Sequence, residues 1–322
     1  MHAATIDAIS IQMQPFLSCD QMKRLQEVLK CTFSQSKPTS VEPDDNLIAS
    51  FIEAKQVEGC SPKTLAYYQN TLEKLQATLK MPFTQVETAD LRSYLTEYER
   101  DHGSSKVTID NIRRIMSSFF SWLEDEDYIV KSPVRRIHRV KVALVIKETF
   151  TDEDLEIIRE NCLTKRDLAL VDLLTSTGMR VGELVKLNRS DVDLNERECL
   201  VLGKGNKQRM VYFDARAKLH LEDYLRARTD SNPALFVTLA KPHDRLTIGA
   251  IELRLRKLGE RLQMQRVHPH KFRRTLATYA IEKGMPIEQV QKLLGHAKID
   301  TTMHYAMVNQ NNVKASHRRY LE

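Results

Sequence analysis

Four successive runs of apolar residues at three- and four-residue spacing fill the stretch from Asp45 to Ile129 and restrict it to packed helices. Leu47, Ile48, Phe51 and Ile52 open the first run. Ser61-Pro62-Lys63-Thr64 reads as an N-cap followed by Pro at the first helical position, where the missing N–H costs nothing. Leu65, Tyr68, Leu72, Leu75 and Leu79 continue as one stripe. Thr88 and Asp90 open a third helix bearing Leu91, Tyr94, Leu95 and Tyr98. Ser104-Ser105-Lys106 opens a fourth, with Ile109, Ile112, Ile115, Met116, Phe119 and Trp122 on its inner face. No single helix buries its own stripe, so residues 43–130 are expected to form a small all-α domain.

Either side of this block the signals change. Residues 1–42 form an N-terminal lead with a helix near Cys19–Phe33, closed by the turn-favouring Lys37-Pro38-Thr39-Ser40. Residues 131–148 form a basic linker. From Lys131 to Lys147 there is no acid, and Lys131, Arg135, Arg136, Arg139, Lys141 and Lys147 are all cations. Pro133 and the β-branched residues disfavour a long helix there, so the segment reads as an extended connector between domains, meeting either phosphate or solvent. Thr151-Asp152-Glu153-Asp154 resembles a capping box and opens a second domain over 149–322. Helices are expected through Leu163 and from Arg166 to Ser176. Glu198–Leu202 and Met210–Phe213 read as a β-hairpin turning at Gly203–Gly205, and the rest from Ala215 is mostly helical. The expected fold class is mainly α: a small helical domain, then a larger helical one with a small antiparallel sheet.

Composition limits the setting. No run approaches the roughly 18 uncharged apolar residues of a membrane span, and the first thirty residues lack a signal-peptide core. The five cysteines are scattered with no C-x-x-C pair, which fits a reducing cytoplasm better than a disulfide scaffold or a cysteine zinc site. The net charge of +6 hides a division: residues 1–130 hold 13 Lys and Arg against 19 Asp and Glu, whereas residues 131–322 hold 36 against 24. A basic C-terminal part suggests a polyanionic partner.

Four motifs in that part bear reactive side chains. In Thr177-Gly178-Met179-Arg180-Val181-Gly182-Glu183-Leu184, an Arg follows a glycine turn at a helix start, where its planar fork suits two phosphate oxygens. Glu183 is placed to hold it; an ordinary surface salt bridge gives the same pattern. Gly203-Lys204-Gly205-Asn206-Lys207-Gln208-Arg209 puts Lys204 at a hairpin tip, and lacks the spacing of a P-loop. In His268-Pro269-His270-Lys271-Phe272-Arg273-Arg274, His270 and Arg273 share a helix face. A guanidinium beside imidazole repels a metal ion and favours phosphate, and no further ligands complete a zinc set with His268 and His270. Finally, Gly295 ends a helix, His296 follows it, and Asp300 or Thr301 caps the next helix, which bears Tyr305. Alone, Tyr305 reads more readily as a half-buried structural tyrosine than as a nucleophile.

In this order and spacing the motifs resemble those of the tyrosine recombinases, or phage integrase family. That family has an Arg in T-G-x-R-x-x-E-L, a Lys on a β-hairpin, an H-x-x-R motif, a His in L-G-H and a Tyr nine residues beyond it. The matching positions here are Arg180, Lys204, His270, Arg273, His296 and Tyr305. Gly59-Cys60-Ser61-Pro62-Lys63-Thr64 matches the G-x-S-x-x-T of the family's core-binding domain. Arg274 departs from the His that many members have there, at a position expected to support the site from behind, as Glu183 does. The lead is short for a separate arm-binding domain, so the architecture resembles the two-domain Xer type.

The resemblance implies site-specific breakage and rejoining of DNA through a 3′-phosphotyrosine, without metal, ATP or other cofactor. Tyr305 is the implied nucleophile; Arg180, Arg273 and His296 would hold the charged oxygens; Lys204 would protonate the leaving 5′-oxygen; His270 would assist proton transfer. The implied partners are a double-stranded recombination site and further copies of the chain in a tetramer, with the segment 307–322 either exchanged between copies, the reading preferred here, or folded back on its own domain. DNA contacts are expected from Lys63, from Lys106 and Arg113 two turns apart on one helix, from Arg135, Arg136, Arg139 and Lys141, and from Lys207 and Arg209. The expected location is the cytoplasm, with the nucleoid. A DNA-binding protein that has lost catalysis and a type IB topoisomerase are the competing readings.

Overall fold

The computed structural model describes residues 9–35, 44–141, 148–203, 208–296 and 298–306. The chain divides into two compact units, Met1–Leu144 and Val145–Glu322.

The first unit holds helices α1 (Cys19–Gln35), α2 (Asp44–Val57), α3 (Pro62–Leu79), α4 (Thr88–His102) and α5 (Lys106–Asp125). Ser61 caps α3, its hydroxyl accepting from the Thr64 amide at 3.2 Å, and Ser105 caps α5 in the same way through Thr108. The helix expected to open at Thr88 does so: Glu87 is its N-cap, and the Glu87 amide donates to Asp90 at 2.9 Å. Phe51, Leu72, Leu75, Leu91, Met116, Phe119, Phe120 and Leu123 are wholly enclosed. Their aromatic rings meet edge-on, Phe119 lying 4.8 Å from Phe83 and 5.3 Å from Phe51, the arrangement that ring quadrupoles favour.

The start of the basic stretch belongs to this unit. Pro133–Arg136 forms a 3-10 turn with Val134 buried in the core. Thr88 donates to the Pro133 carbonyl at 2.7 Å, Arg92 to the Arg136 carbonyl, and Glu124 accepts from both the Ser132 amide and Arg135. The connector lacks acids of its own, but its counter-charge comes from the end of α5. Asp110, buried on α5, accepts from Arg113 at 2.9 Å, Arg114 at 3.1 Å and the Val140 amide at 3.1 Å. Burial pushes its carboxyl up, yet these donors hold it below the usual range.

The second unit is built around α7 (Lys165–Thr177), preceded by α6 (Asp152–Glu160) with the Thr151–Asp154 capping box in place. Ala169, Leu170, Val171, Leu173 and Leu174 bury α7 on several sides. Asp172 ties three helices together: it accepts from Arg159 on α6 at 2.6 Å and from His220 on α9 (Ala215–Arg226). The one-turn helix α8 (Val181–Leu184) leads to an antiparallel sheet in the order β1 (Val192–Asp193), β2 (Glu198–Leu202), β3 (Gln208–Tyr212). Cys199, Val201 and Val211 face the core, and Leu200, Leu202 and Tyr212 face outward. The short strand β1 carries no alternating pattern of its own and pairs through Val192 with Cys199. Helices α10 (Ile248–Arg261), α11 (Pro269–Glu282), α12 (Ile287–Leu294) and α13 (Asp300–Ala306) complete the unit. The mainly helical fold with one small antiparallel sheet agrees with the sequence reading.

Removing the Asp110 charge leaves the mostly buried Arg113 guanidinium without its carboxylate, whereas Arg114 stays exposed to water. Asp110→Asn is expected to destabilise the chain by about 3 kcal/mol, read from urea unfolding. An unchanged midpoint contradicts this account of how the connector is held.

Candidate active site

Two glycine turns place the site. Helix α7 ends at Gly178 (φ 58°) and helix α12 at Gly295 (φ 65°), both left-handed. A Cβ on Gly178 would lie 2.7 Å from Leu276 Cδ2, and one on Gly295 would lie 2.9 Å from Arg209 Cδ. Both positions therefore require glycine for conformation and for space. Each turn leaves carbonyl oxygens at the negative end of a helix, where cations are favoured.

Two arginines use those oxygens. Arg180 stands at the head of α8, and its Nη2 donates to the Gly295 carbonyl at 3.1 Å. Arg273, buried in α11, donates through Nη2 to the Leu294 carbonyl at 2.6 Å and through Nη1 to the Gly178 carbonyl at 2.8 Å. The two guanidinium groups are thus held by consecutive carbonyls of one turn.

Glu183 is the counter-charge. It is 3% exposed, and it accepts from the Arg180 amide at 2.8 Å and from Arg180 Nη1 at 2.9 Å. It also receives a two-pronged bond from Arg209 on β3, at 2.7 and 2.8 Å. Burial pushes the carboxyl up, but the bonds from Arg209 and Arg180 outweigh it and keep the pKa low. Arg209 donates further to the Leu293 carbonyl at 3.2 Å. Its fork is therefore committed inward, whereas the sequence reading set it against DNA. A basic residue near a hairpin tip gives no hint in sequence that a buried carboxylate 26 positions earlier lies beneath it.

The imidazoles differ in setting. His296 follows the Gly295 turn, and its Nδ1 lies 2.9 Å from the hydroxyl of Thr302, which is fully buried on α13. Burial, then the charges of Arg273, Arg180 and Arg209, push its pKa down to about 4, so the ring is neutral near pH 7. His270, in the first turn of α11, is held low by desolvation and by the charges of Arg273 and Arg180. Arg274 is half-buried next to Arg273, and after burial its charge is the next cause that holds His268 low. His268 and His270 have ring centroids 6.4 Å apart, and among the described residues no three His, Cys, Asp or Glu side chains gather as a metal site.

The remaining expected residues fall into three groups. Lys204 and Lys207 lie outside the described residues, between strands β2 and β3. Tyr305 lies on α13, whose backbone is described but whose side chain there is not. In the first unit, Lys106 bonds Glu99 at 2.8 Å, Arg135 bonds Glu124 at 2.7 Å and Arg113 bonds the buried Asp110. Lys63, Arg136, Arg139 and Lys141 are exposed.

Paired forks and a neutral imidazole on one turn suit a tetrahedral oxyanion, and hence phosphoryl chemistry carried out by side chains. Residues 148–312 match the phage integrase family, and residues 47–129 match its N-terminal SAM-like domain. The tyrosine recombinase XerC of Oceanobacillus iheyensis is 32% identical over 290 residues, covering 84% of this chain and 94% of its own. That of Haemophilus ducreyi is 33% identical over 276 residues, covering 80% and 90%. The chain belongs to the phage integrase family. Solved structures share the fold: the XerH site-specific recombinase bound to a palindromic difH substrate has a TM-score of 0.68 at 20% identity, with 98% of this chain and 95% of that one covered. A lambda integrase dimer bound to a core site also has a TM-score of 0.68, at 18% identity, covering 81% and 94%.

The depressed His296 value has a sign that stability measurements read. Folding lowers its pKa from 6.5 to about 4. The unfolded chain therefore takes up a proton first, so this contribution is full above about pH 6.5 and is lost as pH falls toward 4. His296→Gln is expected to flatten the loss of stability between about pH 7 and pH 5 in urea unfolding. Parallel curves for the two proteins contradict the assignment.

Proposed function

We propose that this chain is a site-specific DNA recombinase that breaks and rejoins strands through a 3′-phosphotyrosine on Tyr305. The observation that carries the reading is the pairing of Arg180 and Arg273 on consecutive carbonyls, with Glu183 and His296 beside them. Family membership supports the same reaction. A phenol with a pKa of about 10 is a weak nucleophile near neutrality, so attack needs a base and a stabilised transition state. Tyr305 Oη attacks phosphorus as the bond to the 5′-oxygen breaks. Arg180, Arg273 and neutral His296 receive the charge that builds on the non-bridging oxygens. His270, held low by burial and then by its cationic neighbours, is a base near pH 7 and takes the phenolic proton. Lys204 gives a proton to the leaving 5′-oxygen. The phosphotyrosine keeps the energy of the original ester, so a second strand's 5′-hydroxyl reverses the step without ATP or metal.

The first unit serves as the core-binding domain, and exposed Lys63, Arg136, Arg139 and Lys141 supply phosphate contacts. Lys106, Arg113 and Arg135 join them only by exchanging the carboxylates they now hold. Four copies act on two sites, linked by the segment 307–322, and sedimentation on paired sites with and without residues 309–322 reads this step. No helix among the described residues is long and apolar enough to cross a membrane; work at the nucleoid fits a DNA substrate.

A nicked suicide duplex tests the chemistry. The chain is expected to become covalently joined to the 3′-phosphate, Tyr305→Phe to bind without joining, and Arg180→Ala to join at least about 10²-fold more slowly. Binding without joining by the unaltered chain supports a DNA-binding protein instead. Relaxation of supercoils that lack any specific site supports a topoisomerase.

A further inference from the structure

Arg209 has no step in the scheme above, yet its guanidinium touches both supports of Arg180. It stands on β3, and its side chain is 14% exposed against 35% for Arg180. Nη1 and Nη2 donate to the two oxygens of Glu183 at 2.7 and 2.8 Å, and Nε donates to the Leu293 carbonyl at 3.2 Å. The same side chain fills the space beside Gly295, where a Cβ would meet its Cδ, Nε and Cζ at 2.9, 3.0 and 3.2 Å. Arg209 therefore joins β3 to the carboxylate on α8 and to the turn that ends α12.

Arg180 depends on the same two places. Glu183 Oε1 accepts from Arg180 Nη1 at 2.9 Å, Oε2 accepts from the Arg180 amide at 2.8 Å, and the Gly295 carbonyl accepts from Nη2 at 3.1 Å. A carboxylate and a guanidinium favour a two-pronged pairing. Arg209 already takes that pairing with Glu183. Arg180 is thereby confined to one side-chain prong on Oε1 and turns its other terminal nitrogen to the turn. Its remaining N–H groups lie toward the more exposed side, where the scheme puts the phosphate. Without the Arg209 fork, both oxygens of Glu183 have room for the fork of Arg180, which would close on the carboxylate instead.

We infer that Arg209 is a positioning residue: by filling Glu183 and bracing the Gly295 turn, it keeps the Arg180 fork presented to the scissile phosphate. The inference deepens the recombinase reading and rests on it for its kinetic consequence; its geometric half stands without DNA. Lysine at this position keeps the charge and loses the planar fork. Methionine loses both.

The test uses the full chain as Arg209→Lys and Arg209→Met. Crystal structures without DNA are expected to show the Arg180 guanidinium bonded to both Glu183 oxygens and withdrawn from the Gly295 carbonyl. If the methionine variant does not fold, the lysine variant decides. On the nicked duplex, lysine is expected to slow covalent joining about tenfold with DNA affinity within about threefold. In the Arg180→Ala background, where the positioned group is gone, the lysine change is expected to add less than about threefold. An Arg180 that keeps its bonds in Arg209→Lys overturns the inference, as does joining at the unaltered rate or a lysine loss that persists in full beside Arg180→Ala. Weaker binding with a shallower salt dependence would make Arg209 a DNA contact and overturns it too. If the unaltered chain joins no DNA at all, the recombinase reading fails, while the crystal structures still decide what holds Arg180.

Discussion

The charge on Glu183 is the constraint around which the catalytic unit is arranged. Three guanidinium groups approach one turn of chain, and like charges at such range repel strongly where water is scarce. A buried carboxylate that binds two of them by direct bonds removes most of that repulsion. It costs desolvation, offset only because each of its oxygens is well supplied with donors. Arg273 donates to the Gly178 and Leu294 carbonyls at the ends of two helices. Two of the cations thus share one carboxylate, and Arg273 is held by carbonyls at helix ends.

That division has a chemical consequence. A guanidinium satisfied by carbonyls keeps its full charge for an incoming oxyanion. Arg180 shares Glu183 with Arg209, so its carboxylate bond is only part of that group's capacity. The net charge of the cluster stays positive and adds to burial, the larger cause, in driving the His296 ring neutral. Preorganised donors cost no rearrangement at the moment of reaction, the condition under which they lower a barrier most.

Much of this was legible in the chain. Helix stripes in 45–129, the caps at Ser61, Ser105 and Thr151, the hairpin and the two glycine turns are local patterns, and local patterns survive without knowledge of the fold. The Arg180–Glu183 bond is local too, three positions apart. What escaped depends on long-range contact. Arg209 and Arg113 read as surface cations because the carboxylates that claim them are invisible until the chain is folded. The segment 131–148 read as an extended connector because Glu124 and Asp110, which bind its residues 132–140, stand on a helix before it. Thr302 was passed over since Asp300 and Thr301 already account for a helix start, and nothing in the spelling Thr301-Thr302 says which hydroxyl turns inward.

The measurement that tests this arrangement most directly is single-turnover joining of Glu183→Gln to a nicked duplex, with affinity measured alongside. Glutamine keeps the shape and loses the charge. The account predicts joining slowed at least about tenfold, equivalent to about 1.4 kcal/mol of barrier, with DNA affinity within about threefold and the folded state intact by circular dichroism. Joining at the rate of the unaltered chain would show that the buried carboxylate does not organise the site.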